Sequence, residues 1–380
     1  MNIAIFIAGI VLIVIILGDA FETMVLPRRV TRRFRLARLY FRYTWVVWLS
    51  LSRLIKPHRR QDTFLGFFGP LSVIVLIILW ATGLITGFSL MHWAFDTVLS
   101  SPQGRAGFWT YLYLSGTTFF TLGLGDVVPG TAVGRGLTAL EAGMGFGFLA
   151  LVISYLPLLN QSFARREIAV SLLDSHAGSP PVATEMLLRH IHRDDLSELD
   201  RHFYDWERWS AELLESLLSY PILAFFRSHH DNQSWLGSLT AILDASALIM
   251  AATEGVRSDQ ARFTFAMTRH TIVDLAQVYS CPPHHGTINR LPPADFERLH
   301  ALVASTGLSL PAKNVLESNL DELRILYEPY IYSLSHFFRF PLPPWIAKAG
   351  YRDNWQTTPW RSGVNAKKPG HLEINREDHF

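Results

Sequence analysis

Three long apolar runs in the first part of the chain restrict its fold to one that crosses a membrane. They extend from Met1 towards Leu26, from Phe64 to Met91, and from Gly134 to Leu158. Each reaches the roughly 20 residues that an α-helix needs to cross the hydrocarbon core of a bilayer. The first run has neither the basic start nor the small-residue cleavage site of a secretory signal, so we expect a retained transmembrane helix there.

The composition separates this apolar part from a soluble part that begins near residue 160. Hydrophobic residues make up 49% of the 380 residues, and most of the excess lies in the first part. The single cysteine, Cys281, excludes an intrachain disulfide and fits a reducing compartment. A formal net charge of +2 gives no indication of a nucleic-acid partner. We therefore expect an all-α membrane protein with three transmembrane helices per chain, followed by a helical cytoplasmic domain.

The charge between the first two runs predicts the orientation in the membrane. Residues 28–60 contain no acidic residue and eleven basic ones: Arg28, Arg29, Arg32, Arg33, Arg35, Arg38, Arg42, Arg53, Lys56, Arg59 and Arg60. The positive-inside rule places this segment in the cytoplasm, with the N-terminus outside and the C-terminus in the cytoplasm. We expect an interfacial helical segment that contacts anionic lipids. A voltage sensor is the weaker alternative, because a single span precedes the regularly spaced arginines.

The segment TFFTLGLGDVVPG, from Thr118 to Gly130, lies between the second and third runs and has almost no reactive side chain. It overlaps the end of an apolar, aromatic stretch, Phe108 to Phe120, which has the length of a helix that crosses half a membrane. Irregular backbone at membrane depth is tolerated only where it lines water or is buried in protein. Gly123 and Gly125 can adopt positive φ, and an alternating backbone hand turns successive carbonyls towards one side. We therefore predict a re-entrant pore helix followed by a carbonyl-lined selectivity filter.

The motif inside this segment resembles the potassium-channel signature Thr-Val-Gly-Tyr-Gly-Asp, and it consists of Thr121, Leu122, Gly123, Leu124, Gly125 and Asp126. The resemblance extends over about Phe64 to Leu158 and includes Pro129 after the filter and Gly145 at the family's hinge position. It implies that the carbonyls of Thr121 to Gly125 bind dehydrated K⁺. It also implies that Asp126 lies at the outer mouth and that Gly145 is a gating hinge.

Leu124 departs from the family, which usually has an aromatic residue at this position. Gly-Leu-Gly occurs in one of the two filters of two-pore-domain channels, which remain potassium-selective. This chain has a single pore unit, so the resemblance implies a homotetramer with four identical filters around a fourfold axis. Leu124 also lacks the hydroxyl that braces the family's filter from behind.

A potassium channel is therefore the expected function, with no cofactor other than K⁺ in the filter. A weakly selective cation channel is one alternative, and a non-conducting, membrane-anchored sensor or scaffold is another. No nucleophile–base pair stands out, so we do not expect an enzyme. Because simple bacterial channels are the nearest match, we expect a multi-pass protein of a bacterial inner membrane.

Acidic residues fall inside or beside the spans, where charge is costly and is usually paired. Asp19 and Glu22 lie near the inner end of the first span and close in sequence to Arg28 and Arg29. We predict that these four residues form a structural ion-pair cluster, and a role of Asp19 and Glu22 in an ion path or gate is the weaker alternative.

Glu141 lies in the third run, well inside the hydrocarbon, where a carboxylate must find partners or take up a proton. We expect it to brace the pore helix from behind through Thr117 or Thr118. The alternative is a carboxylate that lines the cavity and concentrates cations.

The C-terminal part shows apolar residues at helical spacing, separated by breakers such as GSPP and LPP. This spacing predicts helices over residues 182–191, 207–220, 235–255, 262–279 and 315–338. Its position directly after the inner helix suits a gating role, although the sequence names no gating ligand. We expect Phe340–Trp345 to form a docked end. The predicted domains are an N-terminal transmembrane helix (1–27), a basic interfacial segment (28–63), a pore domain (64–158), a helical cytoplasmic domain (159–349) and a polar tail (350–380).

Three closely spaced residues, Cys281, His284 and His285, are candidate metal ligands. No second cysteine completes a familiar zinc pattern, so a solvated loop is the favoured interpretation. Histidines are frequent after the third run, which makes a pH-responsive domain a further hypothesis.

Overall fold

The computed structural model describes residues 2–25, 36–56, 58–100, 107–191, 195–230, 232–253, 259–284, 289–347 and 353. The chain divides into two compact units, Met1–Gln161 and Ser162–Phe380. Helices dominate both units, so the predicted all-α class is confirmed. Strand pairing within the described residues is limited to one antiparallel pair of two residues each.

The first unit contains helices of very different lengths and one short strand pair. Its elements are α1 (Ile3–Met24), α2 (Leu36–Ser52), α3 (His58–Gly66), α4 (Phe68–Ala94), β1 (Leu99–Ser100), α5 (Phe108–Phe119), β2 (Val128–Pro129) and α6 (Ala132–Ala177). Helix α6 continues past the end of the first unit without interruption.

Four helical stretches within the described residues are long and apolar enough to cross a membrane: Ile3–Met24, Arg60–Ala94, Ala132–Ala177 and Trp235–Ala252. The first three contain the predicted apolar runs. The fourth lies in the second unit, where protein buries nearly all of its residues. A helix that is apolar on every side fits either a membrane or a protein core, and its packing makes this one a core helix.

Glycines bring α1 and α4 into close antiparallel contact. The Asn2 amide before α1 donates to the Ala94 carbonyl at the end of α4, at 2.9 Å. A Cβ on Gly9 would lie 2.7 Å from the carbonyl oxygen of Gly87, so neither helix has room for a side chain at this crossing. Gly83 and Gly87 form the small-xxx-small pattern that lets two helix backbones approach each other in a membrane.

Asp19 connects α1 to α2 and α4. Its buried carboxylate accepts hydrogen bonds from the Ala37 amide at the start of α2, at 3.1 Å, and from Trp80 Nε1 on α4, at 2.9 Å. A carboxylate on the first amides of a helix stabilises the N-terminus of that helix. Arg28 and Arg29, which we predicted as ion-pair partners of Asp19, lie outside the described residues.

Helix α2 packs on α3 and on the start of α4 through aromatic residues. Trp48 stacks on Phe64 with ring centroids 4.4 Å apart, and its Nε1 donates to the Phe64 carbonyl at 3.1 Å. Trp45 meets Phe68 edge to face. The opposite side of α2 exposes apolar side chains, among them Tyr43, Val46, Val47 and Leu51.

The described part of the second unit is a bundle of helices around one buried helix, α9. Its elements after α6 are α7 (Ala183–His190), α8 (Ser197–Ser219), a 3₁₀ helix (Pro221–Phe225), α9 (Trp235–Ala252), α10 (Asp259–Val278), α11 (Pro293–Ala304), α12 (Lys313–Ile325) and α13 (Glu328–Phe338). The pattern that predicts one helix over Val315–Phe338 corresponds to two, because Pro329 favours a new helix start over continuation.

An ionic network inside the bundle distinguishes α9 from a membrane span. Asp244 on α9 is fully buried and pairs with Arg290. It also accepts a hydrogen bond from the Tyr327 hydroxyl at 2.6 Å. Glu328 extends the network, 3.4 Å from Arg290 and 3.1 Å from Arg324. Buried charges of this kind persist only with paired and hydrogen-bonded partners, which the surrounding helices supply.

The segment Phe340–Trp345 docks on the bundle, as predicted. Trp345 is buried, and its carbonyl accepts a hydrogen bond from Thr184 Oγ1 on α7 at 3.0 Å. The guanidinium carbons of Arg290 and Arg324 lie 5.8 and 5.7 Å from the centroid of the Trp345 ring. The indole therefore joins the apolar core to the ionic network.

Candidate functional site

Helix α5 ends where the glycine-rich motif begins. The amides of Thr121 and Leu122 fold back onto the last turn of the helix, with Thr121 donating to the Thr118 carbonyl at 2.9 Å and Leu122 donating to the Thr117 carbonyl at 2.8 Å. These two bonds fix the direction in which the chain leaves α5. The motif is therefore attached to a short helix whose C-terminal end, with its negative partial charge, points towards it.

The backbone of the motif alternates in hand. Thr121, Gly123 and Gly125 have φ angles of +56°, +53° and +77°, and the intervening Leu122 and Leu124 are not in the left-handed region. A Cβ on Gly123 or Gly125 would meet no atom within 4 Å, so the conformation itself, and not space, favours glycine at these two positions. This is the alternation that brings successive carbonyls to one side of a strand.

A tyrosine on α5 holds the far end of the motif. The Tyr113 hydroxyl donates to Asp126 Oδ2 at 2.9 Å. The sequence does not single out Tyr113, because nothing in an aromatic stretch distinguishes a bracing residue from a lipid-facing one. The contact supplies a hydroxyl brace in a site where Leu124 has none.

Hydrogen bonds join the segment before α5 to the segment after it, close in sequence to Asp126. The Gly130 amide donates to the Val98 carbonyl at 2.7 Å, beside the pairing of β1 with β2. The Tyr111 hydroxyl on α5 donates to the Thr97 carbonyl at 3.1 Å. These bonds hold the loops on either side of the pore helix in one place.

Gly145 lies where α6 passes the end of α5. A Cβ at this position would overlap the carbonyl oxygen of Phe119 and lie 2.9 Å from its carbonyl carbon. Helix α6 runs through Gly145 without a break. Close packing against Phe119 therefore explains why residue 145 is a glycine. The resemblance implies a hinge role for it in addition.

Glu141 is fully buried between three helices. Its Oε2 lies 3.8 Å from Nε2 of His92 on α4, and the Ser115 hydroxyl on α5 lies near the carboxylate without a regular hydrogen bond to it. The predicted partners are different: the Thr117 hydroxyl donates to carbonyls of its own helix, and no described hydrogen bond joins Thr118 to Glu141. Glu141 therefore lies behind α5, in contact with residues that sequence spacing did not indicate.

The structure describes two of the three candidate ligands Cys281, His284 and His285, and within the described residues neither of these two belongs to a group of three or more potential metal ligands. Cys281 is buried, with its sulfur 3.7 Å from the Tyr279 carbonyl oxygen. The exposed His284 donates its backbone amide to the Pro329 carbonyl at 3.0 Å. His285 lies outside the described residues.

Comparison with known proteins points to the same part of the chain. Residues 73–158 match a protein-family model described as "Ion channel". The chain is 24% identical over 207 residues to the uncharacterized membrane protein YdjJ of Bacillus subtilis (strain 168). That alignment covers 53% of this chain and 58% of the relative, so the chain spans little more than half the length of the protein it matches. No solved structure matches.

Proposed function

We propose that this chain is one subunit of a homotetrameric potassium channel. The observation that carries the proposal is the alternating backbone hand at Thr121, Gly123 and Gly125, directly after α5. Four such segments around an axis form rings of carbonyl oxygens that replace the hydration shell of K⁺. The match of residues 73–158 to an ion-channel family model supports the same function.

The exposed surface around the motif supports assembly around a fourfold axis. In one chain, Leu122 and Leu124 are 62% and 63% exposed, and Phe120 and Phe146 also expose most of their side chains. Apolar side chains in such number are typical of surfaces that contact protein or lipid. Three further copies would cover the filter-side residues and complete the rings of oxygens, which one chain cannot do.

Selectivity for K⁺ over Na⁺ requires a filter whose geometry is fixed. Contacts that hold the end of the motif and fill the space around α5 support such a filter. Tyr113 holds Asp126, while Glu141, His92 and Ser115 fill the space behind α5. In this proposal Asp126 lies at the outer mouth, and these groups compensate for the hydroxyl that Leu124 lacks.

Gating belongs to the same proposal. We place the hinge at Gly145 and the controlling domain in residues 159–349, which follow the inner helix directly along the chain. The basic segment 28–60 contacts anionic lipids on the cytoplasmic side, so the N-terminus lies outside and the C-terminus inside.

Ion competition in liposomes tests the function. The purified full-length protein is reconstituted with K⁺ on one side and Na⁺ on the other, and the reversal potential is measured. A value near the potassium limit is expected. A value near zero with measurable current would replace the proposal with a weakly selective cation channel. The absence of current from chemically cross-linked tetramers, at all applied potentials, would favour the non-conducting sensor or scaffold.

A further inference from the structure

Three histidines from three successive helices meet inside the second unit. His176 lies on the last turn of α6, His190 is the last residue of α7, and His202 lies in the second turn of α8. The ring centroids of His202 lie 4.1 Å from that of His176 and 4.2 Å from that of His190, and the remaining pair is 5.0 Å apart. One ring nitrogen from each residue lies within 4.8 Å of the other two.

The spacing of these nitrogens approaches that of a tetrahedral metal site. Nδ1 of His176 and Nε2 of His190 are 3.1 Å apart. Two histidine nitrogens on one tetrahedral Zn²⁺ lie about 3.3 Å apart, since each bond is about 2.0–2.1 Å long. A ring nitrogen of His202 lies within 4.8 Å of a ring nitrogen of both His176 and His190.

A carboxylate lies behind one of the three rings. Nδ1 of His190 is buried without a partner at hydrogen-bond distance, and it points towards Oε1 of Glu198 at 3.7 Å. Metal-bound histidines usually present their second nitrogen to a carboxylate or carbonyl, which fixes the tautomer. With its proton on Nδ1, His190 presents Nε2 towards Nδ1 of His176, and a metal that binds there replaces the hydrogen bond between these two nitrogens.

The surrounding residues hold the helix ends together without a metal. Arg189 on α7 donates to the Ser175 carbonyl on α6 at 2.7 Å and pairs with Asp353 at 2.8 Å. Gly178, with a φ of +83°, turns the chain at the end of α6. A site whose ligands are held by such neighbours loses little entropy when a metal binds.

Burial and neighbouring charges shift the pKa values of the three rings. Burial lowers the pKa of all three histidines, and for His190 the neighbouring imidazoles lower the pKa further, to about 4. Arg189 and Arg201 act in the same direction on the pKa values, and the acidic groups Glu198 and Asp205 oppose it.

We propose that His176, His190 and His202 form a binding site for a divalent transition metal, with Zn²⁺ as the best match. Three imidazoles suit zinc and its neighbours and are poor ligands for Mg²⁺ or Ca²⁺, which prefer oxygen. The fourth position is open to water. The bound ion joins the C-terminal end of α6 to α7 and α8.

Metal titration of the full-length protein in detergent tests this site. Chelator-treated protein is titrated with Zn²⁺ under a competing indicator, and with Co²⁺ under visible absorption. We expect one ion per chain and the intense absorption bands of tetrahedral Co²⁺. His176→Gln, His190→Gln and His202→Gln should each weaken Zn²⁺ binding about 100-fold or more, and Glu198→Gln about 10-fold. His270→Gln, an exposed histidine of α10, is the matched control and should bind as the wild type does.

Any of three results would overturn the site. Wild-type protein that binds no Zn²⁺ below millimolar concentration has no such site. A thiolate-to-cobalt charge-transfer band in the wild type would place the metal on Cys281 instead. This result does not depend on whether any variant folds, because it is measured on the wild type. Variants that remain folded and bind Zn²⁺ like the wild type would also contradict the proposal.

Discussion

At the scale of single residues, the conformation of the backbone explains the choice of glycine in the motif from Thr121 to Asp126. Gly123 has a φ of +53° and open space around its Cα, so a side chain there would be strained but would not clash. Thr121 adopts the same region of φ at +56° without being glycine. A strained residue of this kind is typical of functional segments.

Replacement of Gly123 tests the filter at this scale. Gly123→Ala costs about 1–2 kcal/mol per chain, because a left-handed backbone brings Cβ close to the following carbonyl. We expect a loss of K⁺-selective flux of about tenfold or more, measured in liposomes. Gly136→Ala, at a helical glycine that also has open space, is the control and should conduct normally. Unchanged selective flux through Gly123→Ala would remove the motif from the ion pathway.

A second prediction at this scale concerns the hydroxyl on Tyr113. Tyr113→Phe removes one hydrogen bond to Asp126, a contribution of about 1 kcal/mol, and leaves the ring in place. We expect K⁺ currents that decline faster during sustained opening, with a thermal midpoint lowered by no more than a few degrees. Tyr204→Phe, on an exposed part of α8, is the matched control. Identical current decay in Tyr113→Phe and wild type would show that the hydroxyl does not brace the filter.

At the scale of helices, close backbone contacts decide how the pore segments pack. Gly145 allows α6 to touch the last turn of α5, and Gly87 allows α4 to touch α1. In both places a methyl group has no room. Such crossings set helix positions within a fraction of an ångström, since packed interfaces tolerate added volume poorly.

Gly145→Ala separates the packing role from the hinge role. The added methyl must displace Phe119, so we expect a loss of stability of about 1–3 kcal/mol, seen as a lower thermal midpoint in detergent. Gly147→Ala, whose Cβ would meet no atom within 4 Å, should leave the midpoint unchanged. A variant at Gly145 with normal stability and altered channel opening would show that the glycine acts as a hinge alone.

The contact between Glu141 and His92 also belongs to this scale, because it joins α6 to α4 behind α5. A double-mutant cycle of Glu141→Gln and His92→Gln should give a coupling free energy of about 0.5–3 kcal/mol in thermal stability. Glu141→Gln alone should lower K⁺ conductance. The pair of Glu141→Gln with His270→Gln, an exposed residue of the second unit, is the control and should be additive. If the effects of the two substitutions are additive, the Glu141 and His92 side chains do not stabilise each other.

At the scale of the whole molecule, one helix shows why composition does not settle membrane topology. Trp235–Ala252 is apolar enough to span a bilayer, yet protein surrounds it and Asp244 pairs with Arg290 inside the bundle. The buried charge of Asp244 on α9 is tolerated because four other residues complete the ionic network. These residues are Arg290, Tyr327, Glu328 and Arg324. The second unit thus has a core built around a helix with the composition of a membrane span.

The ionic network predicts a large effect from one substitution. Asp244→Ala leaves Arg290 buried without its closest charge, so we expect a loss of about 3–5 kcal/mol in the stability of the second unit. Asp259→Ala removes an exposed partner of Arg262 and should cost less than about 1 kcal/mol. Thermal unfolding followed by circular dichroism measures both. Similar midpoints for the two variants would show that the network contributes little.

The sequence alone determined the features that depend on neighbouring residues. The apolar runs, the helical class of the C-terminal part and the glycine alternation of the motif are local, because hydrophobic period and backbone freedom act over a few residues. The residue spacing does not predict every helix or its ends. It does not indicate α11, and it predicts one helix over Val315–Phe338 where the structure has two.

Only the tertiary structure decided which faces of separate helices meet. It placed His92 and Ser115, in place of Thr117 and Thr118, beside Glu141, and it brought the Tyr113 hydroxyl to Asp126. It also gathered His176, His190 and His202, which no spacing rule connects. The physical reason is the same in each case: a contact between helices depends on the rotation and position of both, and the packing of the whole unit sets these.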